Sequence, residues 1–212
     1  SRILLTRDGS GHIQVLPGLA SSQAASILTD GHDKALVVVV EDDVARCVLA
    51  ELLSEIQPHL CSITHVIIGG YRDDRGQTIA GGKGAISAAM KTLRDSGLRV
   101  AAVLDGDAGD DPASFVYKLP GSKPPEKEIF TSKDVRTHWQ TQYQLDVTDF
   151  LAGLKNVDHH EWFERLAHRV GRTRDFLVGE AARVYAKEVA GVARPLITQL
   201  GEAATRNRDH GR

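Results

Sequence analysis

The sequence predicts an α/β fold, a doubly wound and mainly parallel sheet followed by an all-helical domain, and three observations carry that prediction. Ala35-Leu-Val-Val-Val-Val40 is apolar and β-branched on both faces, as a parallel strand covered by helices must be. Strand-like and helical spacings then alternate as far as Pro120. Beyond Lys123-Pro-Pro-Glu126 the glycine and valine runs give way to helical spacing alone. The expected organisation is a junction segment over 1–33, an α/β domain over 34–122 and a helical domain over 123–212.

Taken in order, Ile3 to Leu5 and Ile13 to Leu16 flank Asp8-Gly-Ser-Gly11, which reads as a hairpin or linker. The strand ending at Val40 is followed by Glu41-Asp42-Asp43, and Val44, Val48, Leu52 and Ile56 then recur at helical spacing up to Pro58. Asp42 suits the N-cap of that helix. Ile63 to Ile68 is a second strand broken by Gly69-Gly70, and Gly84 to Arg94 is a helix with Ile86, Met90 and Leu93 inward. Val100 to Leu104 is a third strand, ending in Asp105-Gly106-Asp107, and Ser114 to Leu119 a fourth. Helices are expected through Val135 to Leu154 and Glu161 to Leu200, the last with Phe176, Val184, Val192 and Leu196 inward and Arg183, Lys187 and Arg194 on another face; Ala203 to Arg212 should fray.

Composition narrows the function classes. A chain of 212 residues, 42% of them hydrophobic, can bury a core. Its longest apolar run is too short to cross a bilayer and no signal peptide opens it, which predicts a cytoplasmic protein without a membrane partner. Cys47 and Cys61 lack metal or redox spacing and read as buried thiols. The net charge of -2 excludes a uniformly basic nucleic-acid binder. Residues 1–130 carry 13 Lys/Arg against 17 Asp/Glu and residues 155–212 carry 11 against 8, so a mildly basic part follows an acidic one. The chain opens without methionine on the strand-like Ser1-Arg-Ile-Leu-Leu-Thr, and a fragment of a longer polypeptide is expected.

Ligands of parallel sheets gather beyond the carboxyl ends of the strands, where Glu41, Asp105 and Asp107 fall. Carboxylates converging there repel unless a cation neutralises them, and hard oxygen donors suit Mg²⁺ or Mn²⁺. The glycine of Asp105-Gly106-Asp107 is expected to relax the backbone between the two acids. The nine histidines, His159-His160 included, read as solvated surface groups, and Trp139 and Trp162 as core anchors.

A strand ending in glutamate, a helix, two further strands and a DxD closing the third together resemble a Toprim domain over about Lys34 to Leu119. With Leu119-Pro-Gly-Ser-Lys-Pro-Pro-Glu126 leading into a helical domain, the region is similar to the C-terminal part of OLD (overcoming lysogenization defect) family nucleases. That resemblance implies a metal-dependent endo- or exodeoxyribonuclease acting on DNA through two Mg²⁺ or Mn²⁺ ions, with an ABC-type ATPase ahead of it in the full-length chain. It also implies that Glu41, Asp105 and Asp107 match the Toprim acids, that Glu126 is a further ligand and that Asp43 compensates for Ala45, where some relatives carry an acid. A basic residue near the scissile phosphate would be Lys187 or Lys83. The alternatives are a response-regulator-like receiver, suggested by Val37-Val-Val-Val-Glu-Asp-Asp43, a haloacid dehalogenase-type phosphatase, disfavoured because its nucleophilic aspartate belongs to the first strand, and a metal-dependent DNA-binding module without cleavage.

Overall fold

Leu36–Val40 (β3) is buried along its whole length, as its β-branched composition requires. The computed structural model describes residues 3–7, 13–17, 35–69, 71–72, 78–79 and 83–205. On one side β3 pairs with Thr64–Ile68 (β4), on the other with Val100–Leu104 (β7), and β7 pairs with Val116–Lys118 (β8). The sheet therefore runs β4-β3-β7-β8 with every pair parallel. Ile3–Arg7 (β1) and Ile13–Pro17 (β2) pair antiparallel, with Ile3 opposite Pro17. The Asp8 to Gly11 turn and Lys34 lie outside the described residues. Tyr71–Arg72 (β5) and Thr78–Ile79 (β6) form a further antiparallel pair, which the Gly69-Gly70 break did not announce.

Side chains alternate across β3 with the strand period of two. Leu36, Val38 and Val40 face Asp43–Ile56 (α1) and the long C-terminal helix, whereas Val37 and Val39 face Ile86 and Met90 of Lys83–Asp95 (α3). Pro58–Ile63 (α2) starts on a proline, whose missing N–H costs nothing at a first helical turn, and leads directly into β4. The passage from β7 to β8 is made by residues 105–115 with one 3₁₀ turn, Pro112–Ser114, and no α-helix. The fourth strand is thus shorter than expected, and the doubly wound pattern lapses there.

The helical segment holds Pro125–Thr131 (α4), Lys133–Tyr143 (α5), Val147–Ala152 (α6), Trp162–Val170 (α7) and Arg174–Thr205 (α8). The expected run over Val135 to Leu154 breaks at Gln144, which is left-handed with φ 53°, and the next breaks at Gly171, with φ 66°. α8 extends through Ala203 and Ala204, both buried, so fraying does not begin where the sequence suggested. Phe176 and Val192 are 52% and 71% exposed, against the expectation that they point inward, while Leu196 is buried. Trp139 is a core anchor, and Trp162 is partly buried.

Phe130 organises this segment: its ring centroid lies 4.8 Å from Trp139, 5.1 Å from Phe163 and 5.4 Å from Trp162. Ile129, Phe130 and Trp139 belong to the same buried cluster as Leu36 and Val38, so the helical segment and the sheet share one core. Cys47 and Cys61 are free and partly buried, and burial pushes the Cys47 thiol up to about 11. Among the described residues no helix is long and apolar enough to cross a membrane. Phe130→Ala should cost about 3–5 kcal/mol, the range for truncating a buried aromatic. Urea denaturation measures this, and a loss below about 1 kcal/mol would contradict the shared core.

Candidate metal centre at the strand ends

The parallel register aligns Val40 with Val103, so Glu41 and Asp105 leave neighbouring strands at the same end of the sheet. The Asp105 backbone N–H donates to Oε1 of Glu41 at 3.2 Å. Asp105 is 8% exposed, and its Oδ1 accepts no hydrogen bond. Burial first, then the charges of Asp42, Glu41, Glu126 and Asp107, push its carboxyl up to about 8. Asp107 follows on the exposed side of the turn. Glu41 and Asp105 thus meet at the strand ends, and Asp107 acts on Asp105 through its charge.

Gly106 is needed for a reason other than backbone relaxation. A Cβ there would sit 2.9 Å from the Lys123 carbonyl oxygen and 3.0 Å from the Gly121 carbonyl carbon, so only glycine lets the Gly121–Lys123 loop lie against the DxD turn. That loop is latched by Glu128, whose Oε1 accepts the N–H groups of Ser122 at 2.8 Å and Lys123 at 3.0 Å. Gly121 has φ 108°, which side chains rarely tolerate. The latch sets the start of α4 and delivers Glu126, 1% exposed, to the acid cluster. Oε2 of Glu126 has no partner, and Oε1 lies 3.1 Å from Nδ1 of His160.

Asp42 caps α1 as expected, accepting the Ala45 N–H at 2.8 Å. It also faces the cluster: burial and Glu126 raise its carboxyl to about 6, and its Oδ2 lies 4.0 Å from Nδ1 of His160.

One expected ligand is placed differently. Asp43 was to complete a second ion, but its carboxylate is bound by Arg46 at 2.5 Å and by Arg174 at 3.3 Å. Its charge is compensated by guanidinium groups that a cation would have to displace. Lys187 lies on α8, which passes α1 and then the end of α4: Arg174 meets Asp43, Arg183 meets Glu51, Tyr185 feels the charge of Glu128, and Glu188 accepts from Ser132. Lys187 lies beyond Arg183, roughly 20 Å along the helix axis from Arg174. Among the described residues Lys187 makes no hydrogen bond or ion pair with the acids. Lys83 opens α3 on the opposite face of the sheet, beside a cleft it shares with Ser114 and Val116. Among the described residues Arg174 and Lys127 border the cluster; the first acts electrostatically on Asp42, the second on Asp158 and His159.

His160, expected on the surface, is a member of the site, and its contact with Glu126 raises the imidazole to about 9. The donor set is dominated by carboxylate oxygens, two of them buried without partners, Asp105 Oδ1 and Glu126 Oε2. Unpaired buried oxygens amid like charges fit a hard divalent cation. No family model, curated protein or solved structure matches this chain.

A pH dependence of stability follows. Asp105 and Asp42 titrate near 8 and 6 when folded, against 3.8 otherwise, so above about pH 4 the folded chain keeps protons that the unfolded chain has lost. Stability then falls as pH rises through those values, by at most about 1.4 kcal/mol per pH unit for each group. The contribution of His160 is present below 6.5 and is lost as pH rises through about 9, with the same sign, reduced because its side chain is 52% exposed. Melting in EDTA should move to lower temperature between about pH 6 and pH 8, and saturating Mg²⁺ should flatten that slope. A metal-free melting temperature that climbs over this interval would contradict the geometry.

Proposed function

We propose that the chain is the catalytic region of a divalent-metal-dependent DNA nuclease of Toprim type, similar to the OLD family, in which an ABC-type ATPase accompanies it in the full-length protein. The observation that carries this reading is the pairing of Glu41 with Asp105 under the charges of Asp107 and Glu126, with buried oxygens of Asp105 and Glu126 left without partners. Glu41, Asp105 and Asp107 would hold one Mg²⁺ or Mn²⁺, and Glu126, assisted by Asp42 instead of the paired Asp43, would complete a second. The chemistry such ions supply when bound is a water of lowered pKa and charge compensation at the leaving 3′ oxygen.

The chain's own residues supply the rest. Asp105 keeps its proton near neutral pH without a cation and must release it on binding one, which couples occupancy to pH. Lys127, beside Glu126 and bordering an open cleft, can hold a phosphate of the backbone, and Arg174 fixes Asp43 so that α1 presents Asp42 to the cluster.

Strand order does not separate this reading from a receiver, because four parallel strands in the order 2-1-3-4 also begin flavodoxin-like folds. The burial of Glu126 favours the nuclease reading, since an acid brought in from α4 adds a cation ligand that accepting a phosphoryl group does not require.

The test is cleavage of supercoiled and linear DNA with Mg²⁺ or Mn²⁺, beside incubation with acetyl phosphate. Asp105→Ala should abolish cutting without unfolding the chain, since removing a crowded carboxylate relieves repulsion. Lys127→Ala should slow cutting by roughly tenfold, the scale of one lost charge-assisted contact. Metal-dependent cutting that survives Asp105→Ala, or phosphorylation of Asp105 without cutting, would overturn the nuclease reading.

A further inference from the structure

Glu126 is placed against two histidines. One of its carboxylate oxygens and one ring nitrogen each of His159 and His160 lie within 4.8 Å of one another. The carboxylate is buried, and its Oε2 has no partner. Behind His159, Oδ1 of Asp158 lies 3.2 Å from Nδ1 and also accepts the His160 N–H at 3.1 Å, capping the 3₁₀ turn His159–Glu161. A carboxylate behind a histidine fixes the ring and its tautomer, the support that metal-ligating histidines usually have. The turn brings the two rings to 4.1 Å between centroids, with 35° between their planes. A cleft of about 390 Å³ lined by Lys127, Lys155, Asp158, His159 and Trp162 gives this side of the cluster a route to solvent.

We infer that Glu126, His159 and His160 form a mixed nitrogen and oxygen metal site that takes a first-row transition-metal dication such as Zn²⁺, Co²⁺ or Mn²⁺ in preference to Mg²⁺. The inference rests on the reading of the acid cluster as a cation site and names the metal class of its second position. Imidazole nitrogen suits the transition metals, whereas Mg²⁺ keeps oxygen ligands and water. Donors on a tetrahedral ion with bonds near 2.1 Å stand about 3.4 Å apart, so the three groups need close by at most about 1.4 Å. The half-exposed His160 side chain has room for that movement. Three protein donors leave a position open to water, the arrangement of hydrolytic rather than structural sites.

Co²⁺ titration followed by visible absorption tests this on the purified chain with no DNA present. Wild type should give one equivalent of nitrogen-ligated Co²⁺ that persists in a large excess of Mg²⁺. His160→Ala and His159→Ala should each weaken it by roughly tenfold or more, about 1.4 kcal/mol, and His160→Asn should not restore it. Melting curves of the variants separate lost ligation from lost folding. Asp105→Asn should leave the histidine-dependent spectrum in place, so that failure of the nuclease reading does not remove this site. Displacement of Co²⁺ by modest Mg²⁺, or histidine variants with an unchanged spectrum, would overturn the inference. Histidine-dependent Co²⁺ binding without DNA cleavage under any metal would sink the nuclease reading and leave this one standing.

Discussion

Burying carboxylates beside one another is the constraint on which the rest of the structure depends. Asp105 and Glu126 are both almost inaccessible, each keeps one oxygen without a partner, and Asp42, Glu41 and Asp107 add further negative charge around Asp105. In a metal-free protein this arrangement lowers stability, because a buried charge that lacks a partner raises its own pKa until it neutralises. Such a cluster persists only where the surrounding fold over-determines it. Here the parallel register of β3 and β7 fixes Glu41 and Asp105, the Glu128 latch fixes Glu126, and the aromatic packing around Phe130 anchors the helix that carries Glu126.

This dependence gives the DxD glycine its meaning. Gly106 has no Cβ, so the carbonyls of the loop before α4 can approach to a distance that no other residue permits. The Leu119-Pro-Gly-Ser-Lys-Pro-Pro-Glu126 segment is therefore a positioning device as much as a junction. Its glycine accepts φ 108° and its backbone N–H groups bind Glu128, and the acid two residues earlier on the same helix meets the strand ends as a result. The shared core makes the helical segment part of the site's scaffold.

Much of this was legible in the sequence, and the failures have physical reasons. The parallel strands, the helices flanking them, the N-cap at Asp42 and the meeting of Glu41 with Asp105 follow from β-branched runs and strand-end acids. Tertiary pairing decided the rest. Nothing local in Asp43 tells that Arg174, 131 residues away, will bind its carboxylate. Lys187 was named without knowledge of the direction of α8, which passes Asp43, Glu51 and then the end of α4 at Ser132. Adjacent histidines point apart on an α-helix, but Asp158 winds His159 and His160 into a 3₁₀ turn that turns both toward Glu126. The adjacency of Asp158, His159 and His160 was the available signal, and it needed Glu126 in space to be read. Phe176 and Val192 were assigned inward from helical spacing alone, which does not specify which stripe of a 32-residue helix meets the core.

The claim at the centre is that the strand-end acids exist to hold a divalent cation. Calorimetric titration of Mg²⁺ into the metal-free chain, run in buffers of different ionisation enthalpy near neutral pH, tests it most directly. The account predicts saturable binding with release of about one proton from Asp105, and loss of both the binding and the proton in Asp105→Asn. Absence of binding, or binding indifferent to Asp105→Asn and without proton release, would contradict it.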